Sequence, residues 1–459
     1  MKHTFYLFIA ITFTQCSSKY NDNIEAVLDG VGNKRGDLEA VLEHYVLPAD
    51  SLKRKAAYFL VENFPENQVQ TIDKQLMIEN IELAFQVWKK PWVRHLSFDE
   101  FKELVLPFNL EKDSTGTFWR KRLMKEYAFV EDSLKRYPNE NPEIVICRLL
   151  TKVILKKYKL VFELNKHMSP QTLNEWESQK KGDCAAVSFL SEHILRSVGL
   201  PVTTEITHWS VAHYWSVMLI KGRFIPFLFG ESLPGKAKIE LFSEFNHIRK
   251  RQAIFRYTYA INHNSLAAIA KEAIPTFFDN KHLIDVSKPN IPTQKVTVVV
   301  PDSVNKQYAY LALYFRDALL PITWARHLDN EAVFQAVRSE SLYIPACYVQ
   351  NKLRPIGYPF ILKNNGQTLV LTPQLNQKQA IICTKKYPMD DTNLIKLGDI
   401  YQLYYWDPKG WQLISQQVAH QKRLIFENVP VNALFWLKNT TRGIMERPFT
   451  YENGKQLFW

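Results

Sequence analysis

Cysteine is scarce in this 459-residue sequence, and the five present are too few to build a disulfide scaffold. The sequence has no internal repeat and no low-complexity tract, which excludes solenoid arrays and compositionally biased linkers. Beyond the amino terminus no stretch is long and apolar enough to span a bilayer. Acidic residues are the minority, 46 against 58 basic, for a formal charge of +12. The surplus is scattered, as in KKYK near 156 and IRKR near 248, without the aromatic interleaving that base stacking uses. It reads as solvated faces with some attraction to anionic glycan or lipid, and nucleic acid is not an expected partner. Metal-ligand spacing is also lacking. Asp99, Glu100 and Glu103 stand at helical intervals, but none is paired with a histidine, so they read as a solvated acidic face and no metal or cofactor is expected. What is present is 46% hydrophobic and 23% charged residues, the composition of folded modules, in a chain long enough for roughly three domains.

The first residues read MKHTFYLFIAITFTQCSSKYNDN. Lys2 and His3 form a short basic region, Phe5 to Phe13 is an apolar run too short to cross a bilayer, and Cys16 follows. This resembles a bacterial lipoprotein signal, with Gln15 departing from the usual small residue. The resemblance implies lipidation of Cys16, a polar tether after it, and a protein exported and anchored to a bacterial membrane, at the outer membrane or cell surface. A cleaved secretory signal or a buried amino-terminal strand are the other readings. Export also argues against nucleic acid as a partner.

From about 36 to 180 the pattern is helical. GDLEAVLEHY, SLKRKAAYFLVENF, KQLMIENIELAFQVWKK and PEIVICRLLTKVILKKYKLVFELNKH carry apolar residues at three- and four-residue steps. Asp50 or Ser51, Ser97 with Glu100, and Ser169 before Pro170 are candidate helix starts. After residue 200 the period becomes that of strands, in TTEITHW, HYWSVMLI, RFIPFLF and QAIFRYTYAIN, with Lys221-Gly222 as a turn. KPNIPTQ marks a boundary near 289. Beyond it KVTVVVP, QYAYLALYFR, LYIPACYV, TLVLTP and QAIICTK read as short strands of a sandwich. From about 388 a second β block contains DIYQLYYWDPKGWQLIS, a hairpin turning at DPKG, and later NALFWLKNTT.

Chemistry concentrates in KGDCAAVSFLSEHILRSVGLP, residues 181 to 201. Asp183 is an N-cap, Cys184 takes the first helical position, and Val187, Leu190, Ile194 and Val198 form a core-facing stripe that ends at Gly199 and Pro201. A helix amino terminus favours thiolate over thiol, and its N–H groups can serve a developing oxyanion. A small residue packed against a neighbour is the alternative for Cys184. Cys147, Cys347 and Cys383 lie in apolar runs, where buried inert thiols are normal. Some thirty residues on, the alternation of Val211, His213, Trp215 and Val217 puts the imidazole on one face with a large apolar residue. A cysteine at a helix start followed by an H-x-W strand is the order of a Cys-His acyl-transfer site; a core histidine bonded to a carbonyl is the alternative.

These residues resemble the core of the transglutaminase-like superfamily, in the version carried by exported lipoproteins of Bacteroidetes-type bacteria. The resemblance rests on Gly182, Cys184, Arg196, Gly199, Leu200, Pro201, His213, Trp215, Gly222 and Pro226. It implies a papain-like arrangement, a cysteine helix on an antiparallel sheet, and chemistry on carboxamides through a thioester. The family's third residue, an orienting aspartate, falls at Leu228, which cannot do that work. Glu231 is the nearest carboxylate, as an orienting acid or an exposed loop acid, with Asp183 and Glu205 as further candidates. Gln179 reads as an oxyanion donor or a loop glutamine, and His208-Trp209 as a cleft lining or a sheet closure. Trp406, Trp411, Trp436 and Trp459 read as a sugar-stacking platform or as aromatics buried between sheets.

The expected fold class is α+β multidomain. Residues 1–16 are a lipoprotein signal, 17–35 a tether, 36–169 a helical region, 170–262 a transglutaminase-like core, 263–290 a linker, 291–387 a β-sandwich module and 388–459 a second β module. The expected function is a cysteine enzyme acting on a carboxamide of a protein, peptide or glycopeptide, with Cys184, His213 and Glu231 as its catalytic set. The alternative is a non-catalytic surface lipoprotein that binds glycan, cell-wall material or a partner protein.

Overall fold

A computed structural model describes residues 19–108, 118–160, 170, 172–207, 213–229, 232–236, 252–315, 318–387, 394–442 and 446–459. The expectations for Cys16, Ser169, His208, Trp209, Val211 and Glu231 lie outside the described residues. The chain is an α+β mixture, with helices first and antiparallel sheets after them.

The helical part comprises α1 (Asp22–Gly30), α2 (Arg35–His44), α3 (Ser51–Glu62), α4 (Lys74–Trp88), α5 (Phe98–Leu104), α6 (Trp119–Glu126), α7 (Phe129–Leu134), α8 (Pro142–Lys157), α9 (Leu173–Gln179) and α10 (Cys184–Ser197). Helix α1 corrects the expected tether over 17–35. Asn21 caps it by accepting from the Ile24 N–H at 2.9 Å, and Ile24 and Leu28, four apart on one face, are fully buried. Ser97 and Glu100 form the expected capping box, with both reciprocal bonds made. The acidic face around them is not uniformly solvated. Asp99 is exposed, but Glu103 is half-buried and accepts from the Ala260 N–H at 3.1 Å and from the Tyr259 N–H, and burial pushes its carboxyl up. The long apolar pattern after Pro142 stops as a helix at Lys157, and Lys159–Leu160 (β1) pairs in parallel with Lys181–Gly182 (β2).

No break in the core separates 36–169 from 170–262. Leu38, Leu60, Ile81 and Leu150 share one apolar cluster with Leu190, Ile194, Val202 and Met218. Buried Arg120 of α6 ties the two parts together. Its Nε donates to Asn80 Oδ1 at 2.6 Å, its Nη1 to the Arg196 carbonyl at 3.0 Å, and its Nη2 to the carbonyls of Val105, Leu106 and Pro107 at 2.8, 3.3 and 3.1 Å. Trp92 adds a bond from its indole N–H to the Val198 carbonyl at 2.9 Å. Helix α10 is consequently buried along its whole length from Ala185 to Ser197, where the apolar stripe alone implied one buried face.

The sheet beneath α10 has the order β5-β4-β3-β6-β7, all antiparallel, from β3 (Val202–Thr207), β4 (His213–Ile220), β5 (Arg223–Phe227), β6 (Phe255–Tyr257) and β7 (Leu283–Asp285). Strand β7 comes from the stretch expected to be a linker, because Leu283 packs into the apolar cluster that joins this sheet to the next body. The β4–β5 turn is Lys221-Gly222, both at positive φ (49° and 74°), as a two-residue hairpin requires.

The next body is an antiparallel sheet in the order β15-β14-β12-β9-β10-β11-β8, with β13 on the side of β12. Its strands are β8 (Thr293–Val299), β9 (Tyr308–Phe315), β10 (Ala318–Leu328), β11 (Glu331–Arg338), β12 (Ser341–Val349), β13 (Lys352–Pro355), β14 (Phe360–Leu362) and β15 (Thr368–Val370). The β10–β11 hairpin turns at Asp329-Asn330, with φ 49° and 62°. The last body holds β16 (Gln374–Cys383), β17 (Ile400–Asp407), β18 (Gly410–Val418), β19 (Leu424–Val431), β20 (Phe435–Asn439), β21 (Phe449–Glu452) and β22 (Lys455–Phe458). Strand β16 pairs with β19, and Ile381 and Cys383 share a core with Tyr401, Leu403 and Phe435. This moves the expected boundary at 387/388 back to before Gln374. The DPKG hairpin forms as expected, with Asp407 opposite Gly410.

The carboxyl-terminal tryptophans do not form an exposed platform. Trp406 and Trp436 are buried, and Tyr314 of the preceding body meets Trp406, Trp411 and Trp436 with ring centroids 6.2, 5.1 and 5.4 Å apart. Trp459 packs against the same inter-body cluster. Their apolar area joins two sheets.

Candidate active site

The approach to Cys184 is built by local signals. Thr172 and Glu175 make a capping box for α9, a pattern legible in QTLNE. The helix ends at Lys180 in the left-handed region (φ 54°). Gly182 answers to packing: a Cβ there would sit 2.5 Å from the Trp176 ring, whose indole N–H donates to the Ala186 carbonyl at 2.9 Å. Asp183 then caps α10, accepting from the Ala186 N–H at 3.0 Å. At the other end Gly199 is required twice over, by φ +88° and by Val87 and Val93, which would stand 2.4 and 2.6 Å from a Cβ.

Cys184 is half-buried, whereas Cys147, Cys347 and Cys383 are buried. Its sulfur meets the backbone N–H of Tyr214, the residue directly after His213. The first turn of α10 and the start of β4 therefore come together at the Tyr214 backbone. The expected lowering of the thiol is corrected. Burial pushes the Cys184 thiol up and the Asp183 charge adds to this, against the N–H groups of Tyr214, Ala185 and Cys184 itself, which favour the thiolate. The other thiols are held up by burial more simply, Cys147 to about 12.

Strand β4 presents two environments. Ser216 and Met218 face α10, Ser216 sharing a hydrogen bond with Ser191 at 2.5 Å. His213 and Trp215 share the other face, ring centroids 5.8 Å apart and planes at 31°. Trp215 is buried with Val217, Ile254, Val286 and Ile291, and its indole N–H donates to Glu205 Oε2 at 3.0 Å. Glu205 Oε1 accepts from Arg256 Nε and Nη2 at 3.0 and 2.6 Å. Glu205, a candidate orienting acid from sequence, thus has both oxygens committed elsewhere.

Leu228 follows the last residue of β5 and packs against the Trp215 cluster. Its N–H donates to Ser232 Oγ at 2.9 Å, and its carbonyl accepts from the Ser232 N–H at 2.8 Å, closing the strand end. The position where an orienting aspartate was expected thus carries a side chain packed on an apolar cluster. Gln179, the candidate oxyanion donor, is exposed at the end of α9.

On the α10 side of the sheet lies a cavity of about 400 Å³ whose wall includes Ala185, Tyr214, Glu192, Arg196, Tyr257 and His282. Tyr214 and Tyr257 stack nearly parallel, 8° between planes. Glu192 accepts from Thr204 Oγ1 at 2.5 Å and pairs with Arg196 at 3.1 Å. Burial pulls His282 down from its ordinary value, and its Nδ1 meets the Tyr259 carbonyl at 3.0 Å. Sequence reasoning had no access to this cavity, because its lining comes from segments as distant as 64–68, 185–196 and 279–282.

No family model matches the sequence. No curated protein matches it. Among solved structures the chain is similar to one described as "a Putative Cysteine Protease from Cytophaga hutchinsonii", at 15% identity and a TM-score of 0.23. The alignment covers 32% of this chain and 47% of that one, so this chain spans less than half of that protein. A similarity of this size does not equate the two folds.

Proposed function

We propose that the chain is a cysteine-dependent enzyme of transglutaminase-like, papain-like architecture, acting on a carboxamide of a peptide, glycopeptide or protein. The observation that carries this reading is the meeting of Cys184, half-buried at the capped start of α10, with the backbone of Tyr214 beside His213. Cys184 Sγ attacks the carbonyl carbon, and His213 takes the thiol proton and returns it to the leaving amine. The thioester is then opened by water or an amine, hydrolysis being favoured by the breadth of bacterial family members. The first-turn N–H groups of α10 supply donors for the oxyanion.

The test is the rate of Cys184 alkylation by iodoacetamide against pH, in wild type and His213→Ala. Because burial holds the Cys184 thiol above its ordinary value, the wild-type rate should go on climbing above the ordinary thiol range, and removing the imidazole should move the titration further upward. Identical profiles in the two proteins would sink the enzyme. Selectivity follows from burial of the other described thiols.

A second reading has its own support: apolar Leu228 in place of an orienting acid, and a thiol held up by burial, suit a degenerate core that binds glycan, cell-wall material or a partner protein. Under either reading the chain is proposed to be exported and anchored through lipid on Cys16, with no nucleic-acid partner. No helix among the described residues is long and apolar enough to cross a membrane. Expressed in a bacterial host with lipoprotein-processing enzymes, wild type should partition into the detergent phase of Triton X-114, and Cys16→Ala into the aqueous phase. Equal partition of the two would end the anchor proposal.

A further inference from the structure

Four strands converge on the ring beside His213. Trp215 lies two residues on along β4, with its centroid 5.8 Å from the imidazole and its plane tilted 31°. Glu205 of β3 holds the indole N–H at 3.0 Å, and Arg256 of β6 holds Glu205 through two donors. The Arg256 guanidinium lies 3.5 Å from the ring centroid of Phe224 on β5. Leu228 packs into the same cluster as the indole. A ring so fixed presents a π face to any cation within about 6 Å of its centroid, and an imidazolium is such a cation.

We propose that Trp215, pinned by the Glu205–Arg256 pair, is the positioning residue for His213, doing through its ring face what an orienting carboxylate would do at residue 228. The proposal rests on the reading of His213 as the base. It accounts for leucine at 228: beside an indole, an apolar side chain completes the packing, and a carboxylate would not. Glu205 acts through Trp215, and its charge is balanced by Arg256. Among the described residues, the charged groups tied to the Trp215 ring are Glu205 of β3 and, through it, Arg256 of β6, whereas Arg223 of β5 stands opposite Ile220 at the far end of β4.

The experiment is an NMR titration of the His213 ring in full-length protein carrying Cys184→Ala, which removes thiolate coupling. Trp215→Leu should lower the His213 pKa by about 0.4 to 1.5 units, the shift equivalent to a cation–π contact of this kind. Trp215→Phe should give a smaller fall, because a ring remains but its bond to Glu205 is gone. If Trp215→Leu does not fold, Trp215→Phe carries the test. A His213 pKa unchanged in a folded Trp215 variant would overturn the proposal, and a purely structural role for Trp215 predicts that result. The titration is independent of turnover. An unchanged titration alongside active wild-type enzyme would remove the positioning role and leave the catalytic reading standing.

Discussion

Cys184→Ala should eliminate covalent acyl transfer. With p-nitrophenyl acetate as an activated acyl donor, wild-type protein should release a burst of nitrophenolate close to stoichiometric with enzyme and carry one acetyl group on the peptide containing Cys184. Sulfur bonds the acyl carbon, nitrophenolate leaves, and the thioester accumulates if water opens it slowly, the kinetic fingerprint of nucleophilic catalysis. In Cys184→Ala both the burst and the adduct should vanish. In His213→Ala acylation should slow by about 10² to 10⁴-fold, the usual contribution of a general base. Cys147, Cys347 and Cys383 are buried, out of reach of the ester, and should not substitute for half-buried Cys184. A burst of equal size in the alanine variant would refute Cys184 as nucleophile. A wild type without any burst would turn the balance to the binding reading.

Glu205→Ala should be the most destabilising single change near the site. It leaves the Arg256 guanidinium, mostly buried, without its carboxylate, and the buried Trp215 N–H without an acceptor. Breaking one side of a buried ion pair costs about 3 to 5 kcal/mol, because the remaining charge is uncompensated. The double variant Glu205→Ala/Arg256→Met should recover part of that loss by removing the stranded charge and keeping volume against Phe224. Urea denaturation followed by tryptophan fluorescence reads both. A single variant within 0.5 kcal/mol of wild type, of the order of an ordinary surface change, would show that the pair is not holding the ring.

Much of the local structure was legible because its causes are local. Asp183 before an apolar stripe, Ser97 three residues before Glu100, and Lys221-Gly222 between two alternating runs each specify a geometry through bonds or dihedrals of near neighbours. The alternation through β4 correctly put His213 with Trp215. Misreadings came where a distant segment supplied the deciding contact. SSKYNDN is polar, yet Tyr20 and the helix starting at Asp22 find an apolar surface made by α2 and α3. The Pro-rich boundary near 289 masked β7, whose place depends on pairing with β6. QAIICTK looked like the close of one module and is paired with β19 of the next.

By itself the sequence determined that a cysteine begins a capped helix, that an H-x-W strand follows, and that helices give way to strands after residue 200. These depend on caps, periodicity and turn dihedrals, which act within a few residues. Only the tertiary structure decided that Gly182 makes room for Trp176, that Arg120 binds the helical part to the end of α10, and that Glu205 is engaged by Trp215 and Arg256. It also reversed the expected activation of the thiol. A helix end can be read from spacing, but desolvation depends on everything packed around the sulfur, and here burial outweighs the N–H groups that favour its charge.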